Sequence, residues 1–295
     1  MATPVDGPGV ERPVGNVILE PARRRVRALV DGLWVIDSDH AIALYEQGST
    51  PRWYLPVFDA RADLLVVNGL VTDTTARGPA HWCDLHLPER VIENAAWTHP
   101  APPPQAPRLD GLISFEWNYM DAWFEEDDEI IVHPRSPYTR IDVLRSSRHV
   151  HVELNGVTLA DTRRPLILLE GGHNPERYYI PWDDVATTLL EPSQSFTGCP
   201  YKGTASYWNV RIEDVVYHDV FWEYRHPLWQ VARIAGHLCP FNEFVDLLID
   251  GAPRARPETK WAYHGPNAYS WRPGDEPWDP RNVTAWAGDD PHVSR

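Results

Sequence analysis

Val26-Arg-Ala-Leu-Val-Asp-Gly32 and Val150-His-Val-Glu-Leu-Asn-Gly156 are two spellings of one pattern. In the second, Val150, Val152 and Leu154 share one side and His151 and Glu153 the other, the period of a half-buried strand. Each stretch ends on Asp-Gly or Asn-Gly, pairs that supply the left-handed residues of a tight hairpin turn. Val157 to Ala160 then reads as the returning strand. The match runs outward from there. Arg52-Trp-Tyr-Leu-Pro56 answers Arg177-Tyr-Tyr-Ile-Pro181, and Gly78-Pro-Ala-His-Trp82 answers Gly203-Thr-Ala-Ser-Tyr207. Glu93-Asn-Ala-Ala-Trp97 answers His218-Asp-Val-Phe-Trp222 at the same offset of about 125 residues, too long for a solenoid unit and suited to a duplicated domain.

The chain divides accordingly. Residues 1–24 read as an N-terminal arm, 25–125 as the first domain, and 126–147 as an acidic, proline-containing connector. Residues 148–251 read as the second domain and 252–295 as a tail rich in proline and tryptophan, whose aromatic rings favour packing back onto the domains. Both domains are read as mainly β, built of short antiparallel strands. Pro181 to Leu190, with acids in its first turn, reads as the clearest short helix.

With 295 residues, two domains can each bury a core. A net charge of −15 argues against nucleic acid and anionic membrane surfaces as partners, since both need a basic face. Three cysteines without CxxC spacing point to a reducing compartment, and the first residues lack the basic and apolar regions of a signal peptide. A cytoplasmic protein is the expectation. No Cys or His spacing suits a metal, and neither metal nor cofactor is expected.

Cys199-Pro-Tyr-Lys-Gly-Thr-Ala-Ser-Tyr-Trp208, Arg177-Tyr-Tyr-Ile-Pro181 and Glu93-Asn-Ala-Ala-Trp97-Thr-His-Pro100 resemble the DUF427 family, in a tandem two-domain form. The resemblance covers residues 25 to 251. It implies a β-tent in each domain, two antiparallel sheets that many proteins of that fold pin with zinc on CxxC pairs. This chain has no such pairs, so packing must replace the metal. The family is sometimes labelled a nucleotidyltransferase, but two alternating acids for a metal pair are missing: Arg61 and Ala186 stand where the second acid belongs.

Three groups of residues could carry chemistry. Around the Gly203 turn, Lys202 is a potential base or amine nucleophile and Cys199 a potential thiol nucleophile. The first copy has Arg77 in place of Lys202, no cysteine opposite Cys199, and His81 as a possible acid–base group. The alternative reading is a plain turn with Cys199 buried and Lys202 solvated. Arg52 and Arg177 could bind an anion, or form buried ion pairs with Glu46 and Glu170. The tryptophans could cage a flat ligand or fill two cores. The leading expectation is a small-molecule-binding protein, with enzymatic activity left open, its second pocket formed by Arg177, Tyr179, Lys202, Tyr207, Trp208 and Trp222. Arg52, Arg77, His81, Trp82 and Trp97 would form the first. The alternatives are a protein-interaction scaffold and an enzyme using Cys199 or Lys202 as nucleophile. The oligomeric state is left open.

Overall fold

A computed structural model describes residues 17–257 and 259, apart from 47–49, 73–76, 105, 107, 172 and 173. The chain forms two compact units, each with eleven strands. The first runs β1 Val17–Pro21, β2 Val26–Val30, β3 Leu33–Ser38, β4 Ile42–Glu46, β5 Arg52–Pro56 and β6 Leu65–Thr72. It continues with β7 Ala80–His86, β8 Val91–Thr98, β9 Leu112–Phe115, β10 Ala122–Glu125 and β11 Asp128–Ile130. The second runs β12 Ile141–Arg145, β13 Val150–Leu154, β14 Val157–Thr162, β15 Leu166–Glu170, β16 Arg177–Pro181 and β17 Leu190–Cys199. Then come β18 Gly203–Ile212, β19 Val215–Glu223, β20 His237–Pro240, β21 Asp246–Ile249 and β22 Ala252–Arg254.

The topologies are the same strand for strand. One seven-stranded sheet is ordered β1-β4-β5-β9-β8-β7-β6 and its counterpart β12-β15-β16-β20-β19-β18-β17. The four-stranded sheets are ordered β11-β10-β2-β3 and, in matching positions, β22-β21-β13-β14. All pairings are antiparallel. The chain is therefore mainly β, as read, with two antiparallel sheets in each half.

The hairpin stretches fold for the reason their spelling suggests. Asp31 and Gly32 have φ of 48° and 75°, Asn155 and Gly156 of 51° and 76°, so each pair turns the chain with two left-handed residues. Val150, Val152 and Leu154 are buried while His151 and Glu153 lie half-exposed. The two sheets of each half share a core. In the first, Val26, Ala28 and Ile36 meet Trp53, Leu55, Leu85 and Phe115. In the second, Val150, Val152, Leu247 and Ile249 meet Tyr178, Ile180, Phe221 and Leu238. Each large side chain buried this way contributes roughly 1.5–3 kcal/mol of apolar transfer.

Two sequence expectations are corrected. Pro181 to Leu190 is no helix but two 3-10 turns, Trp182–Asp184 and Thr187–Leu189. Between them the backbone turns back to β14: Ala186 donates to the Leu159 carbonyl at 2.8 Å, and Val185 bridges Ala160. An amide bonded sideways to a strand cannot serve the carbonyl four residues back. The first half does likewise, with Arg61 donating to the Val35 carbonyl at 3.0 Å. The sheets also reach into the arm and connector of the sequence reading. β1 and β12 are edge strands there, and the acidic block at 125–129 forms the β10–β11 hairpin, with Glu126 at φ 53°. The expected packing of the tail concerns residues that lie mostly outside the described ones.

A third shared feature is a bulge crossing β6–β8 and β17–β19. In the first half the Asp84 carboxylate accepts from the Asn94 amide N–H at 2.8 Å and from Asn68 at 2.6 Å. In the second, Asn209 Oδ1 accepts from the Asp219 N–H at 2.9 Å, and Asp219 accepts from Ser195 at 3.0 Å. Asn94 and Asp219 both sit at positive φ, 53° and 55°. Among the described residues, no helix is long and apolar enough to cross a membrane.

Candidate functional site

The seven-stranded sheets bury a second face, away from the core that each shares with its small sheet. In the second half this face carries Leu166, Leu168, Tyr179, Ala205, Trp222 and Cys239. Register explains their meeting: Tyr207 on β18 lies opposite Trp222 on β19, which lies opposite Cys239 on β20. The Trp222 indole donates to the Tyr179 hydroxyl at 3.1 Å. Phe241 caps the row, 4.5 Å from the Trp222 ring centroid and stacked with Tyr207 at 6.3 Å. Tyr207 shares a 2.7 Å hydrogen bond with the Thr197 hydroxyl.

Charges enter this face at two places. Arg177 lies 5.3 Å from the Trp222 ring centroid and grips Glu243 through two bonds of 2.7 Å. The Glu243 side chain is 0 % exposed and also accepts from Thr259 at 2.8 Å. Burial pushes its carboxyl up, but the Arg177 guanidinium outweighs that and holds it below the ordinary value. The expected ion pair of Arg177 therefore exists, with Glu243 rather than Glu170.

Glu170 belongs to Lys202. The ammonium donates to it at 2.6 Å, with the two side chains only 12 % and 16 % exposed. Burial alone would lower the Lys202 pKa, yet the nearby Cys199 sulfur and the Glu170 carboxylate raise it overall. The turn that carries them is fixed by backbone: Lys202 N–H reaches the Cys199 carbonyl at 3.3 Å, and Leu228 N–H reaches that of Lys202 at 3.0 Å. Gly203 has φ of 100°, and a Cβ there would come within 3.3 Å of the His226 carbonyl oxygen, so only glycine serves. Cys199 is half-buried, and Lys202 is enclosed rather than solvated. The Cys83 and Cys239 thiols are buried, and burial pushes both up, which makes them inert. Burial likewise pushes up the hydroxyls of Tyr179, Tyr207 and Tyr224, keeping them protonated donors.

The first half repeats the plan with other atoms. Arg52 lies 5.2 Å from the Trp97 ring centroid, and Trp97 donates to Tyr54 at 3.3 Å. Tyr54 meets Nε2 of the buried His99 at 3.3 Å, and His99 Nδ1 lies 3.2 Å from the carbonyls of Gly78 and Pro79. Carbonyls only accept, so Nδ1 carries the proton and the bonds run one way, from Trp97 through Tyr54 and His99 to the turn. Trp82 lies 5.1 Å from Trp97 and donates to Thr72 at 2.9 Å. Arg77 pairs with Glu46 at 3.5 Å, the counterpart of Lys202 with Glu170.

Most expected residues meet. Arg177, Tyr179, Lys202, Tyr207 and Trp222 belong to one face with Cys199, and Arg52, Arg77, Trp82 and Trp97 to the other half's counterpart. Trp208 does not: it points into the shared core, edge-on to Trp182 at 5.1 Å, and donates to Glu223 at 3.1 Å. His81 neighbours Trp82 along β7 and so takes the opposite side. Tyr54, His99, Thr197, Tyr224, Phe241 and Glu243 escaped the sequence reading. The first two stand at the repeat offset from Tyr179 and Tyr224, a signal that was available. His149 and His151 face Asp161 at 2.9 and 2.8 Å, and His151 also faces Glu153 at 3.0 Å. Among the described residues no group of three His, Cys, Asp or Glu side chains is placed to hold a metal ion.

The acids nearest a nucleotidyltransferase pattern are engaged elsewhere. Asp184 accepts from Thr162 and from Arg164 through two bonds of 3.0 and 2.9 Å, and Asp59 accepts from Ser38 at 2.6 Å. A family profile described as a domain of unknown function, DUF427, matches residues 18–126 and again residues 142–251. No curated protein matches the chain.

Proposed function

We propose, for a chain that belongs to the DUF427 family in two tandem copies, that its second half binds a small molecule at the Cys199–Lys202–Glu170 turn. One observation carries this reading: a lysine and a glutamate are held together, almost enclosed, on a largely apolar sheet face whose other ion pair is Arg177 with Glu243. Such a pair costs several kcal/mol per ion to desolvate, and well-packed apolar residues would serve the fold as well or better. Titratable groups gathered this way mark functional sites more often than chance. The ligand class that fits has one anionic or strongly accepting group for Lys202, beside an apolar body for the aromatic row of Tyr207, Phe241 and Trp222.

Each half carries its own complete core, and we take each as a domain, strands β1–β11 and β12–β22. The three cysteines are free thiols, in keeping with a cytoplasmic location. A second reading, an enzyme with Cys199 as nucleophile, is favoured by its place on the same turn as Lys202 and by the burial of the other two thiols. Selective alkylation of Cys199 near neutral pH supports it; equal sluggishness of all three rejects it.

The binding reading is tested by native mass spectrometry of the purified chain and of Lys202→Met, followed by a thermal-shift screen of small carboxylates. A discrete extra mass, or a shift, that Lys202→Met abolishes in a folded protein supports it. Identical ligand responses in wild type and Lys202→Met reject it.

A further inference from the structure

We infer that the first half carries a binding site of its own, built for a neutral ligand that engages Arg77 and Glu46 through a primary carboxamide or urea group. This site stands apart from the Lys202 turn and does not rest on the reading given for it. Glu46 ends β4 on the same side as Ile42 and Leu44, the side away from the core shared with the small sheet. Arg77 reaches it from the Gly78 turn. The two side chains are only 13 % and 20 % exposed, yet they stop 3.5 Å apart. Among the described residues, neither makes a hydrogen bond.

Two other arginines, enclosed to the same degree, do close on their acids. Arg27 donates to Asp127 at 2.7 Å and Arg177 to Glu243 at 2.7 Å. Lys202, at the matching place in the second half, donates to Glu170 at 2.6 Å. The turn that carries Arg77 is not loose. His99 Nδ1 lies 3.2 Å from the carbonyls of Gly78 and Pro79, and a Cβ on Gly78, at φ 83°, would come within 2.7 Å of Pro103 Cδ. Wedged between His99 and Pro103, the turn holds its arginine short of the acid. Enclosed charges left without hydrogen bonds are costly, and a fold that needed only an ion pair here would close it.

The chemistry of the open pair selects its ligand. A guanidinium only donates and a carboxylate only accepts. Together they present a donor edge beside an acceptor edge, with no net charge between them. An anion would suit Arg77 and be repelled by Glu46, and an ammonium group would meet the reverse. A primary carboxamide satisfies both: its carbonyl oxygen accepts from Arg77 while its N–H donates to Glu46. A urea does the same. Both contacts are charge-assisted hydrogen bonds, the stronger kind. The second half cannot offer this edge, because Lys202 and Glu170 are already joined.

The test is saturation-transfer NMR of the full chain with benzamide, benzoate and benzylamine, each titrated for its dissociation constant. Wild type should bind benzamide more tightly than benzylamine, and Lys202→Met should leave benzamide binding unchanged. Arg77→Met should weaken benzamide about tenfold or more, the loss of one charge-assisted hydrogen bond. Glu46→Gln leaves the guanidinium without its acid, so the preference should turn over, with benzamide weaker and benzoate now the tighter probe. An ion pair of purely structural purpose would give no such reversal. Benzoate held at Lys202 is recognised by its loss in Lys202→Met, which separates the two sites. A wild-type chain that does not bind benzamide overturns the inference. So does benzamide binding that neither variant weakens, or a wild-type preference for benzoate that Arg77→Met removes. If Arg77→Met misfolds, the nearly isosteric Glu46→Gln still decides.

Discussion

The two halves place cations at the same points and choose different ones. Arg25 grips Asp37 in the first, and His149 and His151 hold Asp161 in the second, at matching places on β2–β3 and β13–β14. Arg77 beside Glu46 becomes Lys202 beside Glu170. The positions recur through a change of residue. What differs is the cation: arginine stands at both places in the first half, and in the second a pair of histidines, which can titrate near neutral pH, and a lysine, whose pKa is raised.

That comparison can be broken, and the largest effect should come from Glu243. Glu243→Ala strands Arg177 on a buried face, at a cost of about 3–5 kcal/mol. Hydrogen exchange resolved by half should show protection lost in β12–β22 and kept in β1–β11. A uniform loss would mean that the halves do not hold their stability separately. Next come the turn residues: Asn155→Ala and Asp31→Ala each force an alanine to positive φ, costing about 1–2 kcal/mol, and urea unfolding should find the two similar.

Smaller again is removal of the indole donor. Trp222→Phe and Trp97→Phe should cost about 1 kcal/mol each. In the first half the change should also loosen His99, visible as a shift in its ring resonances, because the one-way run of hydrogen bonds then loses its first donor.

The least effect is that of pH, because the His151 pair is partly screened by solvent. Hydrogen bonds to Asp161 and Glu153 raise the His151 pKa above its ordinary 6.5. Its folded value exceeds its unfolded one, so the extra stability is complete below 6.5 and is lost as pH rises through the raised value. Asp161 is lowered below 3.8 by the same histidines, and its contribution is lost as pH falls through that lowered value. Protection in the second half should therefore decline relative to the first as pH climbs from 6.5 through the raised His151 value. His151→Arg should abolish the decline.

Much of this was legible in the sequence. The Asp-Gly and Asn-Gly turns and the alternation of Val150, Val152 and Leu154 are local signals, and the repeat offset made each copy a check on the other. β1 and β12 were harder, because Val-Ile-Leu-Glu-Pro and Ile-Asp-Val-Leu-Arg share too little to show the repeat. Glu243 lies 66 residues from Arg177 and is brought to it only by the fold, so no spacing could announce it. Lys202 and Glu170 stand 32 residues apart and are likewise joined only by the fold. Trp208 was a different failure. Consecutive residues on a strand face opposite ways, so Tyr207 and Trp208 could never have lined one pocket.

The bulge across β7–β8 and β18–β19 carries a record of exchange. Asp84 works with Asn94, Asn209 with Asp219: the carboxylate has changed strands while one acid and one amide remain. The two halves are thus interchangeable as wholes but not as parts. A hybrid joining β7 to the second half's β19 would set Asp84 beside Asp219, two carboxylates in one notch. The reverse hybrid would leave two amides there and no acid. Strands could be shuffled between these copies only in pairs, which makes the hairpin, and not the strand, the smallest unit of inheritance in this fold.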